Sequence, residues 1–295
     1  MVQAEARHCI GLFQSQANHA GLFDVREMEV KGYALRRPGF PLKKQNVLLN
    51  IEKYIQDFDQ LTRGSSGRMI RQTLFAQDGS RVEVYRIHRA RAKKRVLISA
   101  GVHGDEALGS VVALDLAKQI LRETSRAYNS IEFIFIPLVN KEALRLGYRY
   151  LREEGDYNRA FHRDGPAPPR VKSIVKELED IKIDLHLDLH QSMSSSHFFV
   201  IRMDRDDSGL SEFGVRSMEE SDRMVLSDYK PFRIKPTPYK EIEPGVMSSS
   251  NPGTFKSFTS NRGAISITVE APGLFPVKQA REIYLQLVQT LVDAI

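Results

Sequence analysis

The stretch Val96-Leu97-Ile98-Ser99-Ala100-Gly101-Val102-His103-Gly104-Asp105-Glu106 decides the fold class of this 295-residue chain. It begins with a short continuous apolar run, which is typical of a strand buried on both faces of a sheet. Two glycines then allow the backbone to turn sharply, and apolar residues recur at helical spacing from Leu108 to Leu121. The stretch therefore predicts a strand, a polar turn and a helix, which is the repeating unit of an α/β protein.

Strands and helices continue to alternate along the rest of the chain. The pattern predicts strands at 131–137, 183–190 and 263–270 and helices at 170–181 and 283–295. This order favours an open α/β sheet covered by helices on both faces. We expect residues 1–67 to form an N-terminal extension packed on a main domain of residues 68–295. Residues 245–263 are rich in Ser, Gly and Pro, and we predict a flexible loop there.

Composition and charge argue against several classes of protein. The chain is 41% hydrophobic and 27% charged, and it contains no apolar run long enough to span a membrane. Cys9 is the only cysteine, so neither an intrachain disulfide nor a thiolate-rich metal site can form. The polar N-terminus lacks the features of a secretory signal, which favours the cytoplasm. The net charge is +6, but the basic stretch 86–95 lies between predicted strands as a solvated hairpin loop. We therefore expect neither a nucleic acid nor a membrane partner.

Charged side chains fall where three of the predicted strands end. His103 with Glu106, then His190, then Glu270 occupy such positions. Ligands of open α/β sheets bind outside the carboxyl ends of the strands. His186 shares one strand face with His190, but His190 comes last and is therefore the better candidate ligand. Two histidines and a glutamate can hold a catalytic zinc that keeps one position open for water, so we predict one zinc ion.

Four segments, in this order, resemble the zinc carboxypeptidase A family and its relatives, the succinylglutamate desuccinylase and aspartoacylase deacylases. They are His103-Gly104-Asp105-Glu106, Asp156-Tyr157-Asn158-Arg159, Asp188-Leu189-His190 and Thr268-Val269-Glu270-Ala271. Each is weak alone, whereas all four in order at strand ends are specific. The resemblance implies a three-layer α/β/α fold with a mixed, mostly parallel central sheet, and an enzyme that hydrolyses amide bonds.

The resemblance also implies how the metal is held. His103, Glu106 and His190 would bind zinc, and Asp156 would orient His103. Fixing a ligand imidazole through its second nitrogen is the usual role of such a carboxylate.

Roles toward the substrate follow from the same resemblance. Asn158 and Arg159 would hold a substrate carboxylate, because a guanidinium matches a carboxylate with two parallel hydrogen bonds. Glu270 would be the general acid/base. Arg149 would polarise the scissile carbonyl. Arg152 is a rival, because Arg149 stands nine positions before Asn158, slightly more than is expected for the deacylases. The digestive carboxypeptidases have a mobile tyrosine some twenty residues before the glutamate. No tyrosine stands at that position here, and the nearest one upstream is Tyr239.

The resemblance leaves two activities open. Only 25 residues follow Glu270, whereas the deacylases carry a sizeable extra domain after the glutamate, so we expect a metallocarboxypeptidase that removes C-terminal residues from short peptides. The alternative is an N-acyl amino acid deacylase, and a non-catalytic binding module is less favoured. Either enzyme would take a small peptide or an acylated amino acid with a free carboxylate. The sequence does not reveal the oligomeric state.

Overall fold

The described part of the chain forms two β-sheets and six α-helices. The computed structural model describes residues 23–29, 43–123, 128–162, 165–192, 198–203, 240–243, 246–249, 251–273, 277–293 and 295. The strands are β1 (Phe23–Glu29), β2 (Lys43–Leu49), β3 (Met69–Phe75), β4 (Arg81–Ile87), β5 (Lys94–Ala100), β6 (Ile131–Ile136), β7 (Leu185–Ser192), β8 (Phe199–Arg202), β9 (Lys240–Glu243), β10 (Val246–Ser248) and β11 (Ile265–Pro272). The helices are α1 (Ile51–Gly64), α2 (Leu108–Arg122), α3 (Lys141–Leu146), α4 (Pro169–Leu178), α5 (Phe255–Ser260) and α6 (Val277–Asp293), and short 3₁₀ turns lie at Tyr128–Ser130 and Tyr157–Arg159.

Nine of these strands form one mixed sheet in the order β3-β4-β6-β5-β7-β11-β8-β10-β9. Its four central strands β6, β5, β7 and β11 are parallel to one another, while β4 and β8 on either side run antiparallel to them. The mixed, mostly parallel sheet predicted above is therefore confirmed. Strands β1 and β2 form a separate antiparallel pair.

Helices cover both faces of the large sheet. Val96 and Ile98 of β5 point into a core shared with α1, α2 and α6, whereas Leu97 between them points into a second core shared with α4 and α5. Successive side chains of a strand face opposite sides, so a strand buried on both faces reads as a continuous apolar run. The three-layer α/β/α arrangement is confirmed.

Helix α1 belongs to the first of these cores. Its apolar positions Tyr54 and Phe58 are fully buried, and the Phe58 ring stacks on Tyr85 of β4 with 4.3 Å between centroids. Asn50 begins the helix, because its side chain accepts the backbone N–H of Lys53. Residues 51–64 thus pack directly on the main sheet, while the domain boundary at residue 67 stays a prediction.

The prediction of a flexible loop at 245–263 is wrong for the residues of this range that the structure describes. Strand β10 and helix α5 both lie in this range, and every residue of α5 is buried. The Thr254 side chain accepts the N–H of Ser257 and so begins the helix. In the described part of the chain, no helix is both long and apolar enough to cross a membrane.

Candidate active site

The three predicted metal ligands meet at the carboxyl ends of β5 and β7. One ligand atom each of His103, Glu106 and His190 lies within 4.8 Å of the other two, and all three side chains are buried. Nδ1 of His103 is 2.9 Å from Oε1 of Glu106, and Nδ1 of His190 is 2.8 Å from Oε2 of the same carboxylate. The two imidazoles therefore face one carboxylate from two sides.

A tight turn after β5 presents His103 and Glu106. Gly101 has φ of +69°, a left-handed conformation that glycine adopts without a steric penalty. Gly104 packs so closely on α3 that a Cβ there would overlap the backbone of Ala143. Glu106 precedes the first residue of α2, Leu108, by two positions.

The second nitrogen of each histidine is held by an aspartate. Nε2 of His103 is 3.1 Å from Oδ1 of Asp156, and Nε2 of His190 is 3.0 Å from Oδ2 of Asp188. A carboxylate binds the N–H of a neutral imidazole, which leaves the Nδ1 lone pair for a metal. Both rings are thus oriented in the same way, with Nδ1 toward Glu106.

The carboxylates and imidazoles of this cluster stabilise one another's charged forms. Burial alone would raise the pKa of Glu106, but His103 and His190 hold it well below its usual value. Burial would lower the pKa of His190, but Asp188 and Glu106 raise it well above its usual value. The same balance applies to Asp156. Burial would raise the pKa of Asp156, but the opposing contributions, chiefly the hydrogen bond from His103, together lower that pKa to about 2.

The geometry of the cluster fits a small divalent ion. Two atoms that each lie about 2.0–2.2 Å from a tetrahedral ion are roughly 3.3–3.6 Å apart. The nitrogen–oxygen distances of 2.8 and 2.9 Å need to open by only about 0.5 Å to reach that separation. The donor set of two imidazole nitrogens and a carboxylate can therefore hold a metal ion.

A chain of buried polar groups continues behind Asp188. Ser99 Oγ donates to Asp188 Oδ1 at 2.5 Å and lies 2.8 Å from Nε2 of His186, whose Nδ1 is 2.7 Å from Thr259 Oγ1. Thr259 Oγ1 is in turn 2.8 Å from Ser266 Oγ. Both nitrogens of His186 are therefore engaged away from the metal ligands, and burial lowers the pKa of His186 to about 4. The sequence analysis did not predict this series of polar groups, although it placed His186 on the same strand face as His190.

The residues predicted to meet substrate line one pocket beside the candidate metal ligands. Arg149, Asn158, Arg159 and Glu270 all lie on its wall. Oδ1 of Asn158 accepts the N–H of Phe255 at 3.1 Å, so its amide nitrogen is the end left for a ligand. Arg152 is exposed and does not line this pocket, so the geometry favours Arg149 over Arg152.

Arg149 and Glu270 flank the three candidate metal ligands. Arg149 Nη1 donates to Oε1 of Glu106 at 2.7 Å. Glu270 lies on β11 directly beside His190 of β7 in the parallel register. Burial and the nearby Glu106 carboxylate raise the pKa of Glu270 to about 7, a value suited to a group that exchanges protons near neutral pH.

The rest of the pocket comes from six residues, of which the sequence analysis had quoted only Thr268. They belong to β8, β11 and the segment around α5, namely Ile201, Ser249, Asn251, Thr254, Lys256 and Thr268. The capping pattern Thr254-x-x-Ser257 could have revealed α5, but the surrounding Ser, Gly and Pro obscured it. Tyr239 lies outside the described residues.

The fold and the site define a class of protein, a three-layer α/β/α protein with a candidate metal centre at its strand ends. The chain belongs to the succinylglutamate desuccinylase/aspartoacylase catalytic domain family, whose sequence model matches residues 92–295. This membership confirms the relationship that the four segments indicated and makes the chain an amide hydrolase. No curated protein sequence matches the chain significantly.

Solved structures with the same fold include metallopeptidases. A candidate metallopeptidase from Shewanella amazonensis SB2B has a TM-score of 0.67 at 18% identity, over 83% of this chain and 93% of its own. A metallo-carboxypeptidase from Pseudomonas aeruginosa in complex with (2-guanidinoethylmercapto)succinic acid has a TM-score of 0.61 at 18% identity, over 80% of this chain and 67% of its own. At such identities the similarity shows a shared fold.

Proposed function

We propose that this protein is a zinc-dependent carboxypeptidase that removes the last residue of short peptides. The observation that carries the proposal is one pocket in which two candidate metal ligands, Glu270 and the Asn158–Arg159 pair converge. The fold shared with the Pseudomonas aeruginosa metallo-carboxypeptidase supports it.

Zinc is the ion that this donor set favours. Two imidazoles and one carboxylate are a ligand set of catalytic zinc sites, and the zinc bound in them supplies a Lewis acid that activates water and polarises a carbonyl. His103, Glu106 and His190 would hold it. Asp156 and Asp188 would orient both imidazoles with Nδ1 toward the metal, since each accepts from the ring nitrogen that faces away from Glu106.

The remaining residues would bind the substrate and move its protons. Arg159 and the Asn158 amide would hold the terminal carboxylate through charge-assisted hydrogen bonds. Arg149 would donate to the scissile carbonyl oxygen as negative charge develops there. Glu270 would take a proton from the attacking water and deliver it to the leaving nitrogen.

The terminal carboxylate gives the first test. Purified zinc-loaded protein is assayed on pairs of short peptides that differ only in a free or an amidated C-terminus. We expect release of the last residue only from the free acids. Equal cleavage of both forms would contradict the role of Asn158 and Arg159.

A second candidate function is the hydrolysis of N-acyl amino acids. The family match favours it, because that family is named for a succinylglutamate desuccinylase and an aspartoacylase. The same residues would act, with the carboxylate of the acylated amino acid on Arg159. Release of acetate or succinate from acylated amino acids, with no cleavage of peptides, would decide for this activity.

A further inference from the structure

Buried polar side chains form a continuous series that leads from strand β11 and helix α5 to the candidate ligand His190. The proposed mechanism uses only the last member of this series, Asp188. A polar group that is buried without a hydrogen bond destabilises the folded state, so all members must donate or accept correctly at the same time. In order, the members are Ser266, Thr259, His186, Ser99 and Asp188, and each is at most 2% exposed.

The Ser99 hydroxyl determines which nitrogen of His186 carries a hydrogen. Ser99 Oγ has a single hydrogen and donates it to Oδ1 of Asp188, because a carboxylate can only accept. Ser99 Oγ also lies 2.8 Å from Nε2 of His186, so it must accept a hydrogen bond there. Nε2 of His186 therefore carries a hydrogen. Because burial lowers the pKa of His186 to about 4, the ring is neutral at pH 7 and its Nδ1 carries none.

The bare Nδ1 of His186 sets the direction of the remaining hydrogen bonds. Thr259 Oγ1 lies 2.7 Å from this nitrogen and donates to it, while the carbonyl oxygens of its own helix are farther away, at 3.1 and 3.3 Å. The Thr259 oxygen can then accept from Ser266 Oγ, 2.8 Å away. Every hydrogen of the series thus points toward Asp188, which also faces Nε2 of His190 at 3.0 Å. Hydrogen bonds aligned in this way polarise one another, which strengthens the last bond to the carboxylate.

We propose that His186 and Ser99 are positioning residues of the metal centre, because they hold the Asp188 carboxylate in place. The Oδ2 atom of Asp188 then stays on Nε2 of His190, and Nδ1 of His190 stays directed toward Glu106. This inference rests on the proposed function, because it takes His190 to be a zinc ligand. Without the hydrogen bond from Ser99, the carboxylate can turn about its Cβ–Cγ bond, and the imidazole loses its fixed orientation.

The affinity of the full chain for zinc, measured by competition with a fluorescent chelator, tests the role of Ser99. Ser99→Ala removes the donor without adding bulk. We expect the dissociation constant for zinc to rise by about 10- to 100-fold, the usual effect of losing a partner behind a metal ligand. Ser110→Ala is the matched control, because Ser110 is equally buried and its Oγ donates to the carbonyl oxygen of Pro137, outside the series. It should keep the wild-type affinity, whereas a merely structural role of Ser99 would give both variants the same result.

Two substitutions of His186 test the direction of the hydrogen bonds. The amide nitrogen of glutamine can reach the position of Nε2 and donate to Ser99, whereas the shorter asparagine ends near the position of Nδ1 and leaves Ser99 without a donor. His186→Gln should therefore retain most of the zinc affinity that His186→Asn loses. Nitrogen-15 NMR of the metal-free wild type at pH 7 should show a hydrogen on Nε2 of His186 and none on Nδ1.

Three results would overturn this assignment. They are a hydrogen on Nδ1 of His186 in place of Nε2, wild-type zinc affinity in a folded Ser99→Ala protein, and equal zinc affinity in folded His186→Gln and His186→Asn proteins. The NMR measurement needs no metal and so separates this inference from the proposed function. If the wild type binds no zinc while His186 carries its hydrogen on Nε2, the zinc proposal fails and the orientation of Asp188 by Ser99 stands.

Discussion

Glu270 is the residue on which the proposed chemistry depends most directly. Glu270→Gln removes the proton-accepting carboxylate but keeps nearly the same shape. Turnover should therefore fall by about 10²–10⁴-fold, the usual contribution of a general acid/base. Zinc content, measured by metal analysis after dialysis, should stay unchanged, because Glu270 is not one of the three residues that converge as ligands. Glu282→Gln on the exposed face of α6 is the matched control, and near-normal activity of Glu270→Gln would refute the role.

His186 should make the metal-free protein sensitive to acid. Burial lowers the pKa of His186 to about 4 in the folded protein, whereas an unfolded chain has an ordinary value near 6.5. Between these values the unfolded state binds more protons than the folded state, so stability is lost as pH falls through this window. The loss is on the order of a few kcal/mol.

Urea unfolding of the metal-free protein at several pH values between 7 and 4 checks this expectation. His186→Gln keeps a hydrogen-bonding side chain but does not titrate, so its free energy of unfolding should fall less steeply with decreasing pH. An identical slope in both proteins would show that His186 does not contribute to the acid sensitivity.

At the scale of elements, helix α1 offers a test of where the main domain begins. Phe58 is fully buried among α1, Tyr85 and Phe135, so Phe58→Ala should lower the free energy of unfolding by about 3–5 kcal/mol. Phe75 at the end of β3 is 68% exposed, and Phe75→Ala should change the free energy of unfolding by less than about 0.5 kcal/mol. Chemical denaturation measures both. A small effect of Phe58→Ala would support treating residues 1–67 as a separable extension.

The elements also show what a single sequence can reveal. Strand β7 was predictable because polar and apolar residues alternate along it, which places His186, Asp188 and His190 on one face. Helix α5 was not, because its six residues are too few for a helical period and its neighbours favour turns. The helix forms because tertiary burial and the Thr254 cap stabilise it.

At the scale of the whole molecule, the contacts that join distant segments could not be predicted from the sequence. Ser99 and Thr259 reach His186 from 87 and 73 residues away, so no local pattern links them. Lys256 was missed for the same reason, since its partner Arg202 is 54 residues away. The three candidate ligands could be brought together from the sequence because His103 and Glu106 follow one predicted strand and His190 ends another, and the rule that sites form at strand ends supplies the long-range information.

Metal binding should stabilise the molecule as a whole, because its ligands come from segments that are far apart in the chain. His103 and His190 are 87 residues apart, so an ion that needs both binds the folded state and not the unfolded one. Free zinc at 100 times the dissociation constant then adds about 2.7 kcal/mol to the free energy of unfolding. Chelator-treated protein should therefore melt at a lower temperature than protein with zinc restored. The His190→Ala protein should lose this rise in melting temperature with zinc. The His162→Ala protein should keep it, because His162 is not one of the three candidate ligands. A melting temperature that does not respond to zinc in the wild type would contradict a metal centre at this site.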